Sequence, residues 1–210
     1  VWETAETALT KVMDGCGKPY KLNPGDGAFY GPKIDFHIRD AIGRTWQCGT
    51  IQLDFSMPER FGLEYVGADG QRHTPVMIHR ACFGSLERFF GIILEHFAGA
   101  FPLWLAPEQV KIVPVAESYF DYAKQLRDRF RMAGLRAEAN LSDDRLGYKI
   151  RGATMEKIPY VLVVGDTEMQ NGSVNVRSRD HGELGEMSVD AFLEKLEPKN
   201  VEEKIEALRS

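Results

Sequence analysis

Two polar side chains stand where packing asks for neither. His79 closes the apolar run Pro75–Val76–Met77–Ile78, and Arg88 lies in the first turns of a segment whose Leu86, Phe89, Phe90, Ile93 and Phe97 recur at helical spacing. A histidine offers a ring nitrogen to a metal ion or to a hydrogen bond. An arginine offers a permanently charged planar fork to phosphate oxygens or to an aromatic face. Between them Gly84–Ser85 reads as a turn with a capping hydroxyl. The expected unit is a buried strand, a turn and a helix, which can aim both groups into one cleft. Blander roles stay open on spacing alone. A lone histidine is commonly just hydrogen-bonded, since metal sites are built from clusters. Arg88 beside Glu87 can be a solvated face with an ion pair worth under about 1 kcal/mol. If Leu86 and Ile93 are core, truncating either to Ala should cost about 2–5 kcal/mol.

The elements upstream must complete any such cleft. Ile34, Phe36 and Ile38 alternate with Asp35, His37 and Arg39, a turn follows near Asp40–Gly43, and Arg44 to Phe55 reads as a second strand. The pair is expected to be an antiparallel, half-buried hairpin. It carries more polar groups than packing requires. Tyr30 and Lys33 flank Gly31–Pro32 before the first strand, and Gln47, Cys48, Thr50 and Gln52 lie on the second. Gln47 and Gln52 are an odd number of residues apart, so a regular strand points them to opposite faces unless Gly49 introduces a bulge.

The run PVMIHRACFGSLERFFGIILEH closely resembles motif 3 of the threonyl-tRNA synthetase family of class II aminoacyl-tRNA synthetases. FYGPKIDFHIRD and TWQCGTIQLDF resemble the strands that precede it there, and the likeness runs along essentially the whole chain. The resemblance implies that His79 is one of three zinc ligands and that Gln47, Thr50 and Arg88 contact ATP. It implies that Tyr30, Lys33 and Gln52 contact the amino acid or its adenylate, and that Ser85 lines the same cleft. Activation brings a carboxylate onto the α-phosphate of ATP, so positioning and charge neutralisation do the work, with Lys33 and Arg88 as the candidate catalytic cations. Zinc binding the amino and hydroxyl groups of threonine would reject valine, which a hydrophobic pocket separates only weakly. In the family, motifs 1 and 2 and the other two zinc ligands, a Cys and a His, lie upstream and have no counterpart here. The chain begins with Val1–Trp2 and looks like a carboxy-terminal part of a longer protein. By itself it is expected to hold no tight zinc and to form no adenylate.

With 210 residues, 43% of them hydrophobic, the chain can bury one large or two modest cores. No apolar stretch approaches the roughly 20 residues needed to span a membrane. Cys16, Cys48 and Cys82 form no CxxC pair and leave an odd thiol, which suits a reducing cytoplasm. A net charge of -5 gives no global attraction to nucleic acid, so any RNA contact must be local. Lys124, Arg127 and Arg131 on one helical face, with Lys149, Arg151 and Lys157 nearby, are candidates, although such a face is commonly only solvated.

Before the hairpin, Glu3 to Met13 reads as an amphipathic helix with Ala5, Leu9 and Val12 on one side, and Gly15 to Gly27 as a loop around an extended piece at Tyr20–Leu22. Prolines at Pro102 and Pro107 mark a boundary, dividing 1–105, the later half of a catalytic domain, from 106–210. In the second part, strands are expected at Val110–Val115, Leu135–Ala139, Tyr160–Val164 and Ser173–Arg179. Helices are expected at Tyr119–Met132, stopped by Gly134, at Arg145–Lys157, and at Val189–Leu196, opened by Ser188. That alternation argues for an α/β layer around a mainly parallel, five-stranded sheet, so the fold class combines an antiparallel α+β part with an α/β part. The tail from Lys199 to Ser210 is charged and reads as helical or frayed. This second part resembles the anticodon-binding domain shared by threonyl-, prolyl-, glycyl- and histidyl-tRNA synthetases. The resemblance implies that Glu168, in the loop after the third strand, and Arg177, on the fourth, read anticodon bases. Asp143 stands where one member of that family carries Asn, so the resemblance does not carry a base contact over to it. The implied function is ATP-dependent threonine–tRNA ligation with Mg2+ and Zn2+, in a cytoplasmic homodimer that binds threonine, ATP and tRNA(Thr). A sister class II enzyme or a non-catalytic tRNA-binding module are the alternatives.

Overall fold

The computed structural model describes residues 1–196; the tail expectation falls outside them. The chain divides into two compact units, Val1–Ile93 and Leu94–Ser210. In the first, helix α1 (Trp2–Gly15) buries only Ala5 of its apolar stripe, and no strand forms at Tyr20–Leu22. Strands β1 (Lys33–Arg39) and β2 (Thr45–Asp54) make the expected antiparallel hairpin. Asp40 closes its turn by accepting from the Ile42 and Arg44 amides, the Arg44 guanidinium and the Trp46 indole. Burial acts to raise the Asp40 carboxyl, but those bonds outweigh it and hold the group at about 2. Then come a short helix α2 (Ser56–Arg60), a small hairpin of β3 (Tyr65–Val66) and β4 (Arg72–His73), strand β5 (Met77–Ala81) and helix α3 (Leu86–His96). β5 pairs antiparallel with β2, giving a three-stranded sheet in the order β1-β2-β5.

The strand-turn-helix unit forms as expected, but it is not buried. Ile78 is 63% exposed on β5, Leu86 and Phe90 are 71% and 53% exposed on α3, and no residue of α3 is buried. Period shows which side of an element is apolar; it does not supply the partner that covers that side. Leu86 is therefore not core.

In the second unit, β6 (Val110–Pro114), a 3-10 turn (Glu117–Tyr119), α4 (Phe120–Met132), β7 (Ala137–Ala139), α5 (Leu146–Met155), β8 (Tyr160–Val164), α6 (Asp166–Asn171), β9 (Ser173–Ser178), β10 (Gly182–Ser188) and α7 (Val189–Leu196) follow in order. The sheet has five strands in the order β10-β9-β8-β6-β7, and it is mixed rather than mainly parallel. β6 runs parallel to β7 and β8, while β8–β9 and β9–β10 are antiparallel. Connection length is the reason. Residues 165–172 between β8 and β9 are too few for the crossover of a dozen or more residues that a parallel pair needs.

The main core lies on one face of this sheet. Val110, Ile112, Leu162, Val164, Val174 and Val176 pack against Ala123, Leu126 and Phe130 of α4 and Val189, Phe192 and Leu196 of α7. On the other face Val113 and Val161 meet Ala153 and Ile158, with Leu146 and Ile150 of α5 alongside. Phe130 meets Phe192 edge-on at 5.5 Å. Phe130→Ala is expected to cost about 3–5 kcal/mol, and Leu86→Ala, at the surface, about 0.5 kcal/mol or less. Chemical denaturation of the two variants checks the contrast.

Candidate functional site

Strand pairing decides which polar groups share a face. Lys33 lies opposite Gln52, and Gln52 opposite His79, so three of the candidate side chains form one row across β1, β2 and β5. One step along, Asp35 lies opposite Thr50, which pairs with Ala81. The register then shifts: Phe36 pairs with Gly49 and His37 with Gln47, leaving Cys48 unmatched. This bulge turns Gln47 onto the face of Thr50 and Gln52, which resolves the parity conflict in the sequence. Cys48 is buried within it and Cys82 is exposed.

The side chains in these rows touch in sequence. The Tyr30 hydroxyl donates to Gln52 Oε1 at 2.9 Å, and the Tyr30 ring meets His79 edge-on at 6.1 Å. Lys33 Nζ lies 2.8 Å from Asp35 and 3.7 Å from Asp26. Thr50 Oγ1 donates to Asp35 at 2.8 Å and accepts from Gln47 Nε2 at 3.4 Å. Arg88 Nη1 donates to the Gln47 carbonyl at 3.3 Å. The Ser85 hydroxyl accepts from the Arg88 amide at 3.2 Å, the expected cap on α3. Gly84 before it has φ +71°, and a Cβ there would come 3.1 Å from the Cys48 carbonyl, so only glycine brings the helix start this close to the bulge.

Charge in this network is fixed by its carboxylates. The bond from Asp35 lifts Lys33 above the usual lysine range, with burial opposing. Burial pushes Asp35 up, but its bonds from Lys33 and Thr50 prevail and leave it below the ordinary carboxylate value. Both groups are therefore ionised at neutral pH. Asp35 is a residue that sequence reasoning passed over; period two already put it on the face of Lys33. Asp54 was passed over as well. It is 1% exposed, accepts the Ser56 and Met57 amides on Oδ1, and meets His79 Nε2 with Oδ2 at 2.9 Å. A lone Asp at a strand end reads as a cap, and only the β2–β5 pairing shows its second partner.

His79 offers one imidazole to a metal ion, and the donor type suits zinc. Among the described residues no group of three or more His, Cys, Asp or Glu is placed to hold a metal. One imidazole is not a tetrahedral site, so the described residues do not by themselves make a zinc centre.

In the second unit Glu168 is the third residue of α6, not part of a loop, and Oε2 accepts from the Gly165 amide at 2.8 Å. Arg177 lies on β9 opposite Val161 and is paired with Glu183 of β10. The two residues thus have different partners, Gly165 for Glu168 and Glu183 for Arg177. Asp143 is exposed in the loop before α5. The basic helical face is neutralised in place: Lys124 pairs with Asp121, Arg127 with Asp128 and Arg131 with Glu138. Lys149 is buried, its ammonium lying over the Phe120 ring.

Residues 1–97 match the family model of the tRNA synthetase class II core domain (G, H, P, S and T), and residues 109–199 match an anticodon binding domain. The threonine–tRNA ligase of Caldanaerobacter subterraneus is 55% identical over 93% of this chain, and that of Acetivibrio thermocellus 57% over the same share. The chain spans about 30% of the length of these relatives. A crystal structure described as the RNA-binding domain of threonyl-tRNA synthetase from Cryptosporidium parvum superposes with a TM-score of 0.84 at 39% identity, covering 95% of this chain and 52% of that one.

Proposed function

The chain belongs to the class II threonyl-tRNA synthetases, and from that premise we propose that the complete protein activates threonine with ATP and transfers it to tRNA(Thr). In the first step the threonine carboxylate attacks the α-phosphorus and pyrophosphate leaves. In the second a ribose hydroxyl of the tRNA attacks the acyl carbon and AMP leaves. The observation that carries the reading is two runs of contacts, His79 through Tyr30 to Gln52 and Lys33 through Asp35, Thr50 and Gln47 to Arg88, joined by the strand pairing of Lys33 with Gln52. These are groups suited to hold a polar amino acid at one end and a triphosphate at the other.

Lys33, a compact cation pinned by Asp35, takes the amino-acid carboxylate or the adenylate phosphate. Tyr30 and Gln52 orient the amino acid, with Ser85 lining the cleft. Gln47, Thr50 and Arg88 hold ATP, whose Mg2+ arrives with it. Zinc, when bound, would engage the hydroxyl and amino groups of threonine, with His79 as one ligand. Residues 1–105 are assigned to the catalytic part and 106–210 to the anticodon part, where Glu168 and Arg177 contact unpaired bases. A homodimer and a cytoplasmic setting accompany this reading; the three free thiols suit the latter. Among the described residues no helix is long and apolar enough to cross a membrane.

Because Arg177 belongs to the second unit and the candidate ATP and amino-acid residues belong to the first, Arg177→Ala in the complete protein separates the two halves of the function. Threonine-dependent ATP–pyrophosphate exchange is expected to stay at the unmodified rate, while tRNA(Thr) aminoacylation falls about 10-fold or more, the loss of 1–3 kcal/mol carried by one base contact. Equal loss of both activities would remove the anticodon assignment, and absence of threonine-dependent exchange in the unmodified protein would remove the ligase reading.

A further inference from the structure

Asp54 is the one acidic residue of the first unit whose side chain is almost wholly removed from solvent, and its two oxygens have divided tasks. Oδ1 accepts the Ser56 amide at 2.9 Å and the Met57 amide at 3.0 Å, fixing the turn into α2. Oδ2 lies 2.9 Å from His79 Nε2. An ionised carboxylate can only accept, so the hydrogen of this contact must sit on Nε2 of the imidazole. In the neutral ring the other nitrogen, Nδ1, then carries a lone pair, and among the described residues it has no hydrogen-bond partner. The His79 side chain is 46% exposed while its anchor is 2% exposed, so the buried end is fixed and the open end faces outward. Tyr30 stands edge-on to the ring and donates its own hydroxyl to Gln52, leaving that open nitrogen unused.

We propose that Asp54 is a positioning residue that holds His79 as its Nε2–H tautomer and so presents the Nδ1 lone pair as the donor to a divalent metal ion. A ligating histidine commonly gives its second N–H to a carboxylate in this manner, which fixes both ring orientation and tautomer. The inference rests on the reading of His79 as a metal ligand, and the two can be separated by experiment.

Asp54→Asn is nearly isosteric and makes a sharp test. Asparagine has a single acceptor oxygen, which the Ser56 and Met57 amides will claim. Its NH2 group then faces the imidazole and needs an acceptor there, so the ring proton moves to Nδ1 and the lone pair is lost from the open side. Selective 15N-histidine labelling of the chain, which has five histidines, with His79 assigned from a His79→Gln sample, reads the tautomer without metal or turnover. At about pH 8 the unmodified chain is expected to show protonated Nε2 and bare Nδ1, and Asp54→Asn the reverse. A bare Nε2 in the unmodified chain overturns the proposal whether or not the variant folds, and so does a variant whose tautomer is unchanged. In the complete protein, zinc affinity measured by chelator competition is expected to fall 10- to 100-fold in Asp54→Asn. An inverted tautomer with unchanged zinc affinity overturns the metal role of Asp54. If His79→Gln also keeps zinc, the failure lies with the reading of His79 as a ligand; if it loses zinc, the failure lies with Asp54 alone.

Discussion

Replacing Arg88 by Ala in the complete protein is expected to slow threonine-dependent ATP–pyrophosphate exchange by about two to three orders of magnitude, with thermal stability almost unchanged. A fixed donor aimed at charge that develops in the transition state is worth about that much when removed. Arg88 suits the role because so little of its capacity is used inside the chain. Its guanidinium gives one bond, to the Gln47 carbonyl at 3.3 Å. It makes no ion pair among the described residues, Glu87 included, so the bland reading of a helix-surface pair is not what the structure shows. The remaining N–H groups are free for phosphate oxygens. Its backbone is nevertheless fixed, because the Ser85 cap and the close approach of Gly84 to the bulge hold the first turn of α3. Arg88→Lys keeps the charge and loses the planar fork, so it should recover only part of the loss. Exchange within a few-fold of the unmodified rate in Arg88→Ala would remove the ATP contact proposed for the arginine.

The sequence made the local devices readable and left their partners hidden. The strand at Ile34–Ile38 and the cap at Ser85 are properties of short stretches, and both form as expected, although the half-burial expected of the strand does not follow, since Phe36 and Ile38 are 43% and 46% exposed. The bulge could be named as a possibility from Gly49, but only the pairing of His37 with Gln47 fixes it. Asp54 needed a contact across 25 positions of chain, which no local pattern carries. Strand β10, with its glycines and glutamates, has little β propensity and exists because β9 offers it a ladder. The apolar stripe of α3 was legible and its exposure was not, because burial belongs to the neighbour as much as to the helix. Glu168 likewise reads as a loop residue until α6 is seen to start at Asp166 and to use that carboxylate as its cap.

The largest structural effect is expected from the smallest substitution, Gly31→Ala. Gly31 precedes the row of Lys33, Gln52 and His79, and it lies against the carbonyl of Leu53. A Cβ there would stand 2.1 Å from the Leu53 oxygen and 2.8 Å from its carbon. Both are backbone atoms, so no rotamer relieves the overlap and β1 must draw away from β2. That movement strains the Leu53 amide bond to the Pro32 carbonyl and the Phe55 amide bond to the Tyr30 carbonyl, each 3.1 Å. It also pulls the Tyr30 hydroxyl from Gln52. The expected cost exceeds about 3 kcal/mol, in the class of severe single substitutions, and the first unit should lose its protection against proteolysis while the second keeps its own core. Gly25→Ala is the control. Its φ of +82° strains an alanine by about 1–2 kcal/mol, but nothing lies within 4 Å of the added carbon. A loss at Gly31 no greater than that at Gly25 in thermal denaturation would mean that the contact with Leu53 does not set the requirement at Gly31, whose φ is not positive. A larger loss at Gly31 ties the YGPK turn to the geometry of the row it introduces, since the same displacement that unfolds the hairpin first separates the tyrosine from its glutamine.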